Sequence, residues 1–144
     1  MANDGAFDQA AAERLLTEVF APWVQDLKLS IERIEAKAAE PGAVLRMAFS
    51  DRLCREGGVI SGQALMALAD TAMVFAVSAA SGAYRPMTTV DQTTHFLKPV
   101  SKADVLADAR IARLGRTMAF GRVTILSAAD NKPVAMVSSA YALL

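Results

Sequence analysis

The stretch from Ser61 to Val77, SGQALMALADTAMVFAV, restricts the fold more than any other part of the chain. It is almost wholly apolar and built from good helix formers. Ser61 suits an N-cap, and Gly82 suits a stop after the last turn. The predicted helix, about residues 62–80, runs for about 27 Å at about 1.5 Å per residue, the width of a small domain. Its apolar residues point in nearly every direction, so it is expected to be buried on nearly every face.

One residue breaks this pattern. Asp70 is the only charged residue between Gly57 and Ala83. A buried charge costs several kcal/mol unless it is paired, hydrogen-bonded or neutralised. Asp is also a poor residue for a helix interior, because its short side chain competes for backbone hydrogen bonds. Gln63 and Ala67, seven and three residues earlier, share a helix side with Asp70. Two readings stand: a narrow polar face that lines a small site, or a structural Asp satisfied by the backbone of a neighbouring element.

The chain has 144 residues, and residues 1–144 are read as one domain. Hydrophobic residues make up 53% and charged residues 21%, which supplies an ample core and favours a large buried subunit interface. The 15 basic and 15 acidic residues balance, so no nucleic-acid footprint is expected. Met1 to Gly5 has neither the basic nor the apolar region of a secretory signal. A mid-span Asp costs about 2.5–3.5 kcal/mol on insertion scales, which argues against reading the Asp70 helix as a membrane span. A cytoplasmic location is the expectation. Cys54 and His95 are the only residues of their types, so neither a disulfide nor a metal site is expected.

Along the chain, Leu15, Leu16, Val19 and Phe20 suggest an amphipathic helix over about residues 8–20, stopped near Pro22. Leu29, Ile31, Ile34 and Ala36 form a strand pattern with one irregular step. Pro41-Gly42 marks a turn, and Val44, Leu45, Met47 and Phe49 a second strand, so the two read as a hairpin. After the central helix, Thr88–Leu97 is dense in β-branched residues. Asp104–Arg113, Thr117–Ser127 and Val134–Leu143 are three further strands, separated by Gly115 and by Asp130-Asn131. Short connections imply an antiparallel sheet. The simplest α+β solution is a six-stranded antiparallel sheet wrapped around one long helix, the hotdog fold, with an N-terminal helix added.

Three local patterns carry a resemblance to a known family. The central helix opens with Ser61-Gly62-Gln63 and has Asp70 nine residues after Ser61, where the family has His-Gly-Gly followed by Asp. Thr88-Thr89-Val90-Asp91 precedes Phe96-Leu97-Lys98-Pro99. Leu114-Gly115-Arg116-Thr117 precedes Ala119-Phe120. From about Arg46 to Leu144 the chain resembles the hotdog-fold acyl-CoA thioesterases of the PaaI type. It departs from their pattern at three places: Ser61 stands for the His, Gln63 for the second Gly, and Arg55 for an Asn in the preceding loop. Glu56-Gly57-Gly58 mimics the Gly pair, but nine residues past Glu56 is Leu65, so that register supplies no acid.

Thioester hydrolysis needs a group that activates water or attacks directly, and donors for the developing oxyanion. Asp70 is the candidate for the first role. The free backbone N–H groups of Gly62 and Gln63, at the positive end of the helix, are candidates for the second. They lie about 12 Å from Asp70 along the axis, too far to share one carbonyl. The resemblance implies a dimer in which one subunit supplies the acid and the other the helix N-terminus. It also implies that Thr89 lies near the acid and orients water, and that Ser61 and Arg55 occupy substrate-contacting positions. The phosphates of CoA would suit Arg116 and Arg113 at the Gly115 turn, although a solvated turn Arg explains them equally well.

Three other assignments rank lower. A Cys54–His95 nucleophile pair has no support from proximity in sequence. Met66 and Met73, seven apart, suit core packing or an acyl-pocket wall. Lys98 suits a surface charge. The expected function is thus acyl-CoA thioester hydrolysis without a cofactor, with the thioester as substrate. The alternative is a non-enzymatic acyl or acyl-CoA binding module on the same fold. A hotdog dehydratase would need a His paired with an acid, an arrangement in which His95 has no place. The Thr-rich strand Thr88–Leu97 suits pairing with its twin, so a homodimer is expected, with a tetramer of two dimers as an extension.

Overall fold

The computed structural model describes residues 6–144, so the first five residues of the expected domain lie outside it. Helices α1 (Gln9–Leu16) and α2 (Pro22–Gln25) lead into strands β1 (Leu29–Glu35) and β2 (Gly42–Met47). A 3₁₀ turn at Asp51–Leu53 precedes helix α3 (Gly62–Ser81). Strands β3 (Met87–Phe96), β4 (Val105–Leu114), β5 (Met118–Ser127) and β6 (Pro133–Leu143) follow. All strand pairs are antiparallel, in the order β1-β2-β4-β5-β6-β3. This is the hotdog architecture that the sequence implies.

Helix α3 starts and stops where its capping residues place it. Ser61 Oγ accepts from Ala64 N at 3.2 Å, and Gly82 ends the helix at φ +86°, a left-handed value suited to glycine. By length and composition the helix could cross a membrane, but two thirds of its most apolar window is buried inside the fold. Leu68, Met73 and Phe75 are fully buried, a burial worth about 1.5–3 kcal/mol for each side chain. Alternating residues of β4 (Val105, Ala107, Ala109, Ile111) and β5 (Ala119, Val123, Ile125) face inward to the same core. The irregular step in the first strand is a register shift between Ile31 and Arg33.

Two expectations need correction. The first helix ends at Leu16 rather than near Phe20. Thr17 closes it, with its hydroxyl donating to Arg14 O at 2.9 Å, and the chain then turns so that Phe20 stacks on Phe75 at 5.6 Å. An unbroken helix could not make that contact and also begin α2 at Pro22. The second correction concerns α3, which is not buried on nearly every face. Gln63 and Met66 are exposed, and Ala67 and Asp70 half-buried. These four recur at the spacing of one helix side, so α3 keeps an open strip where the sheet does not close over it.

The outer face of β1, β2, β4 and β5 is laced with ion pairs. Arg46 bridges Glu32 and Asp104, Arg110 bridges Glu35 and Asp108, and Arg122 holds Glu40. Asp104 also accepts from Phe49 N at 2.7 Å, and this bond, with Arg46, holds its carboxyl below the usual range.

Gly121 sets how closely α3 approaches the sheet. A Cβ there would lie 2.4 Å from Arg110 O and 2.8 Å from Met73 Cε. Gly121→Ala is therefore expected to destabilise the fold by about 1–3 kcal/mol, the cost of overpacking a core, read as a lowered urea midpoint.

Candidate active site

Three elements converge on Asp70. Its own helix presents it on the open strip. From β3, Thr89 Oγ1 donates to Asp70 Oδ1 at 2.8 Å. From β6, the Tyr141 hydroxyl lies 2.8 Å from the Asp70 carbonyl oxygen and also hydrogen-bonds Oδ1. Thr89 and Tyr141 are register partners across the β3–β6 ladder, so one rung of the sheet delivers both donors. Both act on Oδ1, and among the described residues no hydrogen bond reaches Oδ2.

Asp70 is half-buried rather than enclosed, so it avoids the full cost of a charge in an apolar interior. The two donors serve it in the way that the structural reading required, except that they are side chains rather than backbone groups. Tyr141 is 1% exposed. Burial, followed by the charge and hydrogen bond of Asp70, pushes its hydroxyl pKa well above the ordinary tyrosine value. The hydroxyl is therefore a neutral donor throughout the physiological range.

Asp70 opens on a cleft of about 330 Å³ lined by Trp23, Gln63, Met66, Ala67, Thr89 and Gln92. Trp23, on α2, is 61% exposed and forms an apolar wall. Gln92 Nε2 donates to Met66 O at 3.1 Å and ties β3 to the open strip. The helix N-terminus opens on a different cleft, of about 420 Å³, lined by Arg55, Ile60, Gly62, Leu65, Phe96 and Lys98 among others. The ring of Phe96 lies over Gly62, and a Cβ on that glycine would stand only 3.0 Å from Phe96 Cζ.

The sequence candidates thus divide into groups. Asp70, Thr89 and Gln63 share the first cleft, and Gly62 and Arg55 share the second. Ser61 caps α3. Arg113 and Arg116 are exposed at the β4–β5 turn, where Gly115 N donates to Met118 O at 2.7 Å, and they line neither cleft. Cys54 Sγ lies 3.7 Å from Ser50 O, while His95 is exposed on β3 opposite Met136, so no Cys–His pair is assembled. Met73 is core, and Met66 is cleft wall. Lys98 is exposed, 3.8 Å from Asp130. Among the described residues, no group of three or more His, Cys, Asp or Glu could hold a metal ion.

The thioesterase superfamily matches this chain over residues 57–134, more than half its length. The chain belongs to that superfamily. The matched span includes α3, β3, β4 and β5, and with them Asp70, Thr89, Gly62 and Gln63. The fold is shared with solved structures of low sequence identity. The PaaI protein of the E. coli phenylacetic acid degradation operon superposes with a TM-score of 0.76 at 20% identity, covering 94% of this chain and 91% of its own. A mutant of the phenylacetic acid degradation protein PaaI from Thermus thermophilus gives 0.73 at 24%, covering 86% and 100%. Zebra fish thioesterase superfamily member 2 gives 0.74 at 21%, covering 94% and 95%. No curated protein sequence matches the chain.

Sequence reasoning missed Tyr141, Trp23 and Gln92. Tyr141 left a signal: it continues the inward alternation of Val137 and Ser139, and a buried tyrosine hydroxyl needs an acceptor. Trp23 left none, because its place beside Asp70 depends on the turn after α1.

The Tyr141 shift has a consequence for stability. Below about pH 10 the hydroxyl is protonated in both folded and unfolded chains, and its contribution is fully present. Above that, the unfolded chain releases the proton and the folded chain keeps it, so stability falls as pH rises. Urea melts between about pH 9 and 11 should show this loss, and Tyr141→Phe should remove that part of it.

Proposed function

We propose that this thioesterase-superfamily chain hydrolyses acyl-CoA or closely related thioesters, with Asp70 as general base or nucleophile. The observation that carries the reading is the carboxylate itself, held by two donors on one oxygen and open to a cleft through the strip on α3. A base needs a fixed position and a free lone pair, and Asp70 has both. Thr89 orients the carboxylate and stands beside the position a hydrolytic water would take.

The oxyanion is assigned to the backbone N–H groups of Gly62 and Gln63 from a second copy of the chain. The separation of the Gly62 cleft from the Asp70 cleft supports this for Gly62, whereas Gln63 borders the Asp70 cleft of its own chain. Strand β3 ends the sheet, with β6 as its only strand partner among the described residues, and seven of its ten residues are exposed. A ten-residue edge with Val90 and Phe96 uncovered invites pairing with its twin about a two-fold axis. Such a homodimer has two equivalent sites, and two dimers can form a tetramer. Arg55, at the Gly62 cleft, is the better placed cation for the CoA phosphates. Arg113 and Arg116 can serve only if a partner brings the β4–β5 turn to a site.

Purified protein should release free thiol from acyl-CoA thioesters, and Asp70→Asn should lower kcat by at least about 100-fold, the scale of a lost general base. An unchanged rate in that variant would remove Asp70 from the chemistry. Tight binding of a non-hydrolysable acyl-CoA analogue, without turnover on a broad acyl panel, would make the protein a binding module instead. Light scattering at micromolar concentration should give a dimer or tetramer, and a fully active monomer would refute the shared site.

A further inference from the structure

We infer that Tyr141 is a positioning residue for hydrolysis: its hydroxyl fixes Asp70 with Oδ1 turned to the strands and Oδ2 presented to the cleft. The inference rests on the reading of Asp70 as the reacting carboxylate. Tyr141 does not itself line the cleft, so it acts only through Asp70.

The geometry is more than a buried hydroxyl finding an acceptor. The Asp70 carbonyl at 2.8 Å would satisfy that hydroxyl alone. Instead its single proton is shared between that carbonyl and Asp70 Oδ1, so one hydroxyl faces both backbone and carboxylate of one residue. An Asp side chain has two torsions, and a single donor leaves rotation about that contact. Thr89, from the neighbouring strand, supplies the second donor to the same oxygen. Tyr141 and Thr89 together determine which oxygen is engaged and which is free. Thr89 is exposed on the edge strand, whereas Tyr141 comes from an interior strand and is enclosed by the core, which makes Tyr141 the rigid member of the pair. Because burial keeps it protonated, it orients the carboxylate without adding a competing charge.

A double-mutant cycle tests this in the full-length protein. Tyr141→Phe keeps the buried ring and removes only the hydroxyl. It should lower kcat by about tenfold with KM within about twofold, and leave oligomeric state and far-ultraviolet circular dichroism unchanged. On an Asp70→Asn background the same substitution should cause no further loss in kcat, because the group it positions is already gone. Equal losses in both backgrounds would overturn the proposal, as would a raised KM at unchanged kcat. Tyrosinate absorbance gives a readout independent of turnover. Of the two tyrosines, Tyr141 is the buried one. It should titrate at lower pH in Asp70→Asn than in the parent protein, since the facing charge is removed. No change would show that Tyr141 and Asp70 are not coupled. If Asp70→Asn retains full activity while the absorbance shift is seen, the catalytic reading fails and the Tyr141–Asp70 contact stands.

Discussion

The structure depends on hiding one long apolar helix that no single layer of small elements could cover. Twelve of the twenty residues of α3 are buried, and the sheet curls around them. The chain enters the helix from β2 and leaves it for β3, at the far side of the sheet beside β6. Helix α3 is therefore the crossover of the whole sheet. This connection leaves β3 at an edge, and the edge cannot close over the helix. The open strip of Gln63, Met66, Ala67 and Asp70 follows from that geometry.

The same constraint explains why a carboxylate is tolerated in so apolar a helix. Asp70 faces the incomplete side of the wrapping, where it meets water and two hydroxyl donors. A charge one position away in either direction, at Ala69 or Thr71, would point into the closed core, since both are buried. Burial and access are thus set by helix phase. The β3–β6 rung carrying Thr89 and Tyr141 converts that location into a defined carboxylate geometry.

The outer face of the sheet is divided. Its β1–β2–β4–β5 side carries the Arg46, Arg110 and Arg122 ion pairs. Solvent screens charges on this partly exposed face, so the pairs are better understood as fixing solubility and strand register than as the source of stability. Toward β6 and β3, Phe120 and Met136 are exposed on the outer surface, and Val90 and Phe96 on the edge strand. This is the part of the surface on which the proposed assembly draws. Other exposed apolar side chains, Trp23 and Met66, border the Asp70 cleft.

The sequence by itself determined the central helix, the six strands, their order along the chain and the candidate acid, but not α2. A long apolar helix with a clear cap and stop, six strand-forming stretches and one intruding Asp are all local patterns, readable because helix and strand preferences act on side chains directly. The resemblance also pointed to Thr89. Only the tertiary structure decided what surrounds Asp70. Tyr141 lies 71 positions away in sequence, and Trp23 reaches the cleft from a turn that ends α1 early. Such contacts depend on register across the β3–β6 ladder and on Phe20 docking against Phe75, which no local period encodes. The structure likewise separated the Gly62 cleft from the Asp70 cleft and left Arg113 and Arg116 away from both. The physical reason is common to all of these: periodicity fixes the side of an element on which a residue stands, whereas packing between distant elements fixes what it faces.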